Sequence, residues 1–393
     1  MARRSRRSPL TRTLQRAFGA LARHSVDAGM KAGVRALRQA NAAALKQAKG
    51  AAAASRRSAK KAAGGKPLAE TARQRGLAEC VSGIAFAAAG ARRYYLYKPP
   101  GLTTAERLPL VVMLHGCGQD AGALALATRM NRIAARERFL VLYPEQDRLA
   151  NPQGCWNWYE VRSRRAYGEA AIIRAAIDQV CLLYPVDAQR VGIAGLSAGA
   201  GMAALVATRY PEHIAAVVMH SGVPPGVANS TASAIRAMHG RVLASSAATP
   251  TSSAAPSSTT APSPAKSSSQ SSGARSWPPL LVIHGSRDRV VSLSNATDAV
   301  RLWAAAAGAV DETVRRVQRG ARYPMTVTDF GSRGRVAATL CEIEGLGHAW
   351  SGGDSRERFS DARGPDASRL AWSFMARRFR AAQPPRGDVR RSG

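Results

Sequence analysis

Five short apolar runs limit what this chain can become. They are "LPLVVMLHG" at 108–116, "FLVLYPE" at 139–145, "VGIA" at 191–194, "IAAVVMHSG" at 214–222 and "PLLVIHGSRD" at 279–288. Each is four to six apolar residues long with no polar alternation, so neither side of such a strand can face water. Strands of that kind are buried between two layers of helices, in a mostly parallel sheet. The stretches between them supply the helices. "GEAAIIRAAIDQVCLLY" (168–184), the alanine-rich run 201–210, "SNATDAVRLWAAAAG" (294–308) and "DASRLAWSFMARRF" (366–379) all carry helical spacing of apolar residues. "ARRYYLYKP" (91–99) reads as a further strand, and "MTVTDFGSRGRVAATLCEIEG" (325–345) as a hairpin. Alternating strands and helices predict an α/β fold with helices on both faces. With 46 % apolar residues among 393, a large core is within reach.

The charge is not spread evenly. The chain carries a formal +32, yet residues 1–79 hold 19 Lys and Arg against only Asp27, Glu70 and Glu79. Half of the excess therefore sits in a fifth of the length, as in a basic arm joined to an ordinary body. Residues 1–80 read as that arm, with short amphipathic faces (Leu10, Leu14, Phe18, Leu21, then Val26, Met30, Val34, Leu37) and a low-complexity linker at 51–66. The arm suits non-specific nucleic acid, through phosphate neutralisation, or a granule or anionic surface, through its apolar faces. The body is expected to start near Gly83, giving a domain over 81–393. Within it, the Ser/Ala/Thr/Pro-rich segment 241–276 cannot bury a core and reads as a disordered surface insertion.

Five cysteines, Cys80, Cys117, Cys155, Cys181 and Cys341, form no C-x-x-C pair, which argues against zinc or thioredoxin chemistry. No stretch reaches the length of a transmembrane helix. "MARRSRRSPLTRTLQRAFGALARHS" lacks an uninterrupted apolar core for a secretory signal. These features favour a cytoplasmic protein, with secretion the alternative.

The chemistry centres on "RVGIAGLSAGAGMAAL" (190–205). Ser197 lies between Gly195 and Gly199, after an apolar strand and before a helix. That is the Gly-x-Ser-x-Gly elbow of α/β-hydrolases, where slim neighbours let a serine project from a sharp turn. Serine is a weak nucleophile and needs a base, itself oriented by a carboxylate. In this fold the acid and then the histidine follow the serine along the chain. Asp288 comes just after the strand "LLVIHG", and His348 stands on the glycine-rich loop "EGLGHAWSGG". Of seven histidines, only His348 follows Asp288. His115, His220 and His284 end apolar strands and are expected in structural roles, while Asp298 and Asp311 fall in or after a helix and are expected to be solvated. The oxyanion hole needs two backbone N–H groups. Ala198, after the nucleophile, supplies one, and Cys117 in "HGCGQD" the other.

Together, "HGCGQD", "CWNWY", "GLSAGAGMAA", "HSGVPPG", "HGSRDRVV", "GLGHAWSGG" and "GPDASR" resemble the polyhydroxybutyrate depolymerase family of esterases, from about Tyr94 to Arg378. The resemblance implies an α/β-hydrolase that cleaves poly- or oligo-(3-hydroxyalkanoate) through Ser197, Asp288 and His348, without metal or cofactor. Feruloyl and acetylxylan esterases of similar build are the alternative. Cys117 and Cys155 match two recurrent family cysteines, which would pair in an oxidising compartment. Trp156, Asn157 and Trp158 match a segment near the family's cleft. Trp156, Trp158 and Trp350 are expected to line an apolar groove, with ordinary core packing as the competing reading. Secreted depolymerases of this family usually carry a signal peptide and a C-terminal polymer-binding domain, and neither is recognisable here. That favours an intracellular enzyme acting on amorphous granules or soluble oligomers.

Overall fold

The computed structural model describes residues 79–240 and 276–381. The basic arm, the segment 241–275 and the last twelve residues lie outside the described residues, as do the expectations placed on them. The strands are β1 (Cys80–Ala87), β2 (Gly90–Tyr97), β3 (Leu108–Leu114), β4 (Leu140–Pro144), β5 (Val186–Leu196), β6 (Ala216–His220), β7 (Leu280–Gly285), β8 (Asp311–Val317), β9 (Met325–Ser332) and β10 (Arg335–Ile343). They form one ten-stranded sheet in the order β1-β2-β4-β3-β5-β6-β7-β10-β9-β8. The six central strands, β4 to β10 in that order, pair in parallel. Antiparallel strands flank them on both sides. A second, two-stranded sheet joins β11 (Trp350–Ser351) to β12 (Ser360–Asp361).

The apolar runs do what their composition requires. In β3, Leu110, Val112 and Leu114 enter one core, while Val111 and Met113 enter the other. Successive side chains alternate across a strand, so a continuous apolar run feeds both layers. The first layer comprises α3 (Arg165–Leu183), α4 (Ala198–Arg209) and α6 (Ser294–Ala307). The second comprises α1 (Ala121–Thr128), α2 (Met130–Glu137) and α7 (Ala367–Ala381). A short helix, α5 (Thr231–Met238), is capped by Ser230, whose hydroxyl accepts the N–H of Ser233.

The expected strands, the hairpin and the closing helix all form. The β9–β10 hairpin turns through Arg333 and Gly334, both at positive φ, which matches the twist of antiparallel strands. Some elements were not anticipated. Among the described residues the first strand, β1, starts at Cys80, ahead of Gly83. Asp311, which follows α6 and is exposed as expected, opens an edge strand, β8. Nearly all of β8 is exposed, so it has no apolar alternation to announce it.

Candidate active site

Parallel strands bring their carboxyl ends to one edge of the sheet, where open α/β folds build their sites. Ser197 follows β5, Asp288 follows β7 and His348 follows β10, all on that edge. Ser197 adopts φ 56° and ψ −119°, a sparsely populated backbone state that marks functional sites. The two flanking glycines make the turn possible. A Cβ on Gly199 would lie 2.2 Å from the carbonyl oxygen of Leu114, and one on Gly195 would lie 2.2 Å from that of Gly199. The elbow is tied to the neighbouring strand by the Ser197 N–H, which donates to His220 O at 2.9 Å.

Asp288 and His348 are directly joined. His348 Nδ1 lies 2.8 Å from Asp288 Oδ2, and the carboxylate side chain is fully buried. The other carboxylate oxygen accepts the N–H groups of Val290 and Val291, each at 2.9 Å. Burial pushes the Asp288 carboxyl up. The hydrogen bond from His348, the charges of His348 and His284 and the Val291 N–H outweigh it and hold the pKa at about 2. The carboxylate thus stays ionised and fixes which ring nitrogen of His348 carries hydrogen. The two loops are stitched together as well: Ser286 Oγ accepts the Gly345 N–H, and the Arg287 N–H donates to Leu346 O, both at 3.0 Å.

The turn carrying Cys117 abuts the serine. A Cβ on Gly116 would lie 3.5 Å from Ser197 Cβ. Neither the Cys117 nor the Ala198 N–H donates a hydrogen bond among the described residues, so both are available to a developing oxyanion. Cys117 is disulfide-bonded to Cys155, which fastens the turn to the "CWNWY" loop.

A cavity of about 250 Å³ opens over Ser197. Trp156, Trp158, Tyr159, Val223, Ile235 and Val291 are among its walls. Trp156 is fully buried in the protein, yet its indole N–H has no acceptor. Two expectations need correction. Trp350 does not line the cavity: it is fully buried, donates to Ser368 Oγ at 3.0 Å and stacks on His220 with ring centres 5.0 Å apart. Packing takes it because it follows His348 into β11, which pairs with β12. Asn157 also turns away from the cavity, since Glu169 takes both its backbone N–H (2.8 Å) and its side-chain amide (2.7 Å).

The other strand-end histidines are structural, as expected. His220 Nε2 accepts the Ser351 N–H at 3.1 Å, and burial, then the charges of His284 and His348, bring its pKa down to about 3. His284 donates to Val291 O at 2.9 Å. His115 donates to Gly116 O at 3.0 Å and accepts the Gln146 N–H at 3.1 Å.

Sequence reasoning passed over Glu169 and α5. Glu169, on α3, is 2 % exposed and accepts from Arg92, Gln146 and Asn157. Gln146 in turn holds Cys155 O and, through His115, the turn at Gly116. The available signal was a carboxylate among the apolar, inward positions Ala166, Ala170 and Ile173 of α3. Helix α5 supplies Thr231, Ala234, Ile235 and Met238 to the cavity. Its eight residues are too few for a clear helical period.

Residues 92–324 match the family model described as Esterase PHB depolymerase. The chain belongs to this family. It is 29 % identical over 260 residues to poly(3-hydroxyalkanoate) depolymerase C of Paucimonas lemoignei, covering 66 % of this chain and 58 % of that protein. It is 26 % identical over 260 residues to acetylxylan esterase A of Emericella nidulans, covering 65 % of this chain and 79 % of that one. Thus the chain spans a little over half the length of the depolymerase it matches. Among solved structures, an acetyl xylan esterase from Aspergillus awamori superposes with a TM-score of 0.51 at 20 % identity, covering 65 % of this chain and 89 % of that one. The fold is that of the α/β-hydrolases. Among the described residues no cluster of His, Cys, Asp or Glu is arranged to hold a metal ion, and no helix is long and apolar enough to cross a membrane.

Proposed function

We propose that this protein is a serine esterase that hydrolyses poly- or oligo-(3-hydroxybutyrate). The observation that carries the proposal is the strained elbow. Ser197 lines an apolar cavity beside two undonated N–H groups, on the sheet edge that holds the Asp288–His348 pair. His348 takes the Ser197 proton as the oxygen attacks an ester carbonyl. The N–H groups of Cys117 and Ala198 hold the oxyanion, and Asp288 stabilises the imidazolium. The C–O bond breaks, His348 returns the proton to the leaving alcohol, and water then releases the acid from the acyl-enzyme. The apolar walls suit the methyl groups of a polyester. The Cys117–Cys155 disulfide favours an oxidising compartment, and with it the secreted alternative over a cytoplasmic one.

The test compares hydrolysis of amorphous polyhydroxybutyrate granules, methyl ferulate and acetylated xylan by the wild type and Ser197→Ala. Release of 3-hydroxybutyrate or its oligomers by the wild type alone supports the reading. Hydrolysis of the aromatic or acetyl ester in place of the polyester would keep the nucleophile and overturn the substrate. Full activity in Ser197→Ala would overturn both.

A further inference from the structure

A second and larger cavity, about 1070 Å³, lies between α2, α7 and the β8–β9–β10 end of the sheet. It shares no lining residue with the cavity over Ser197. Nine arginines line it, against two carboxylates, Asp329 and Asp366. Three of the nine have carboxylate partners: Arg315 pairs with Asp329, Arg369 with Asp366 and Arg136 with Glu137. Arg129, Arg322 and Arg378 donate to backbone carbonyls, which anchor the side chains, and none of the three makes an ion pair with a carboxylate within 4 Å, although Asp354 acts on Arg129 and Asp329 on Arg378 from farther off. Arg132, Arg319 and Arg377 make no side-chain hydrogen bond or ion pair among the described residues. All three are exposed.

Six guanidinium groups with no carboxylate partner around one slot repel each other, and the slot focuses their field. Arg378 registers the strain: its Nε is buried with no acceptor. Burial, then the charges of Arg377 and Arg335, lower its pKa against the opposing pull of Asp329. An arrangement of this kind is relieved by an anion that spans several arginines.

The shape narrows the choice. A flat bilayer covers the exposed Arg132, Arg319 and Arg377 but does not fill a slot of about 1070 Å³. A duplex, with its persistence length of about 50 nm, does not bend into one. A flexible chain does. The spacing suits such a chain: Arg369, Arg377 and Arg380 share one face of α7, and Arg380 lines a smaller hollow that also contains Arg136, Arg369 and Arg377. The walls between the arginines are apolar, with Val317, Met325 and Leu370, and carry Tyr323, while Trp372 stands in the smaller hollow; one face of each ring is already taken, Tyr323 by Arg363 at 4.7 Å and Trp372 by Phe139 at 4.0 Å. Phosphates on a cationic groove and base faces on apolar and aromatic side chains are how single strands are held without sequence preference. We propose that this groove binds single-stranded nucleic acid. The site is independent of the esterase reading and of the basic arm.

The test uses the full chain and fluorescein-labelled oligothymidylate of 20 nucleotides, with anisotropy read across a salt series. Each phosphate contact to a single strand contributes about 0.7 to the slope of log K against log salt. Arg319→Ala/Arg377→Ala is expected to weaken binding and to lower that slope by about 1.4. The exposed, unpaired positions of both residues keep the fold intact, and unchanged thermal unfolding would verify this. The arm also attracts polyanions, so a second full-length variant replaces Arg3, Arg4, Arg6 and Arg7 with Ala. Its residual binding is expected to remain sensitive to Arg319 and Arg377. An unchanged slope and affinity in the groove variant would overturn the proposal. So would displacement of the oligonucleotide by inorganic polyphosphate or phosphatidylglycerol vesicles at equal or lower phosphate concentration.

Discussion

Glu169→Ala tests whether the buried network behind the cavity sets both stability and reactivity. The Glu169 side chain is 2 % exposed and that of its ion-pair partner, Arg92, is 9 % exposed, with 3.2 Å between them. Removing the carboxylate leaves a guanidinium buried without its counter-charge. It also strips an acceptor from the Asn157 N–H and amide and from Gln146. Breaking a buried pair from one side costs about 3–5 kcal/mol. The lost hydrogen bonds belong to the same event and do not add to it in full. A loss of that size lowers Tm by roughly 10 °C in a domain of this class. Arg92→Ala in the Glu169→Ala background should cost at least about 1 kcal/mol less than in the wild type, because the two share one interaction. Gln146 connects this network to Cys155 and, through His115, to the turn at Gly116. Loosening that turn displaces the proposed oxyanion donor Cys117, so kcat on a soluble p-nitrophenyl ester is expected to fall by as much as ~100-fold at a temperature where the variant is folded. Urea unfolding followed by circular dichroism measures the stability, and steady-state kinetics the rate. A Glu169→Ala protein within ~0.5 kcal/mol of wild type, with no coupling to Arg92, would refute the reasoning.

The remaining predictions concern the proposed catalytic edge and its braces. Asp288→Asn should lower kcat by about 10⁴ while leaving the fold in place, since His348 loses the partner that sets its tautomer; a loss below tenfold would dismiss Asp288 as the orienting acid. Acid should weaken the wild type more than Asp288→Asn. The Asp288 pKa is depressed from 3.8 to about 2 in the folded protein, so its contribution is present above the unfolded pKa and is lost as pH falls through the folded one. That contribution is about 2 kcal/mol. Urea midpoints at pH 6 and pH 2.5 should therefore converge between the two proteins, and parallel shifts would contradict the assignment. Cys117→Ser/Cys155→Ser opens a disulfide with a sequence separation of 38 and should cost ~4 kcal/mol by loop entropy. Identical unfolding of the wild type with and without reductant would show that the bond does not form.

Much of this site was legible because its chemistry depends on local chain geometry. A serine on a strained turn demands slim residues two positions away on each side, and Gly195 and Gly199 are visible in any reading of the sequence. Strand ends are marked by the point where an apolar run meets glycine, which located Asp288 and the turn at Cys117. The order of these segments predicted a parallel sheet, and a parallel sheet places their ends together. Two tryptophans of equal apolar character, Trp158 and Trp350, were indistinguishable at that level, because composition does not reveal which way a side chain turns.

The sequence by itself determined the layers, the central parallel strands and the residues that carry the proposed chemistry, since each follows from periodicity or from one tight turn. Only the tertiary structure decided what lies behind and beside them. Glu169 and Arg92 are 77 positions apart along the chain, and their meeting depends on α3 packing against the strand that carries Arg92. Helix α5 forms a cavity wall because the chain returns over Ser197, a consequence of packing that eight residues cannot announce. The arginine groove is assembled from α2, the β8–β9–β10 end of the sheet and α7, and although α2, α7 and the stretch around β8 are each rich in arginine, the sequence does not show that they face one another. Long-range pairings of this kind are set by the closing of the whole sheet, and no local window of sequence contains them.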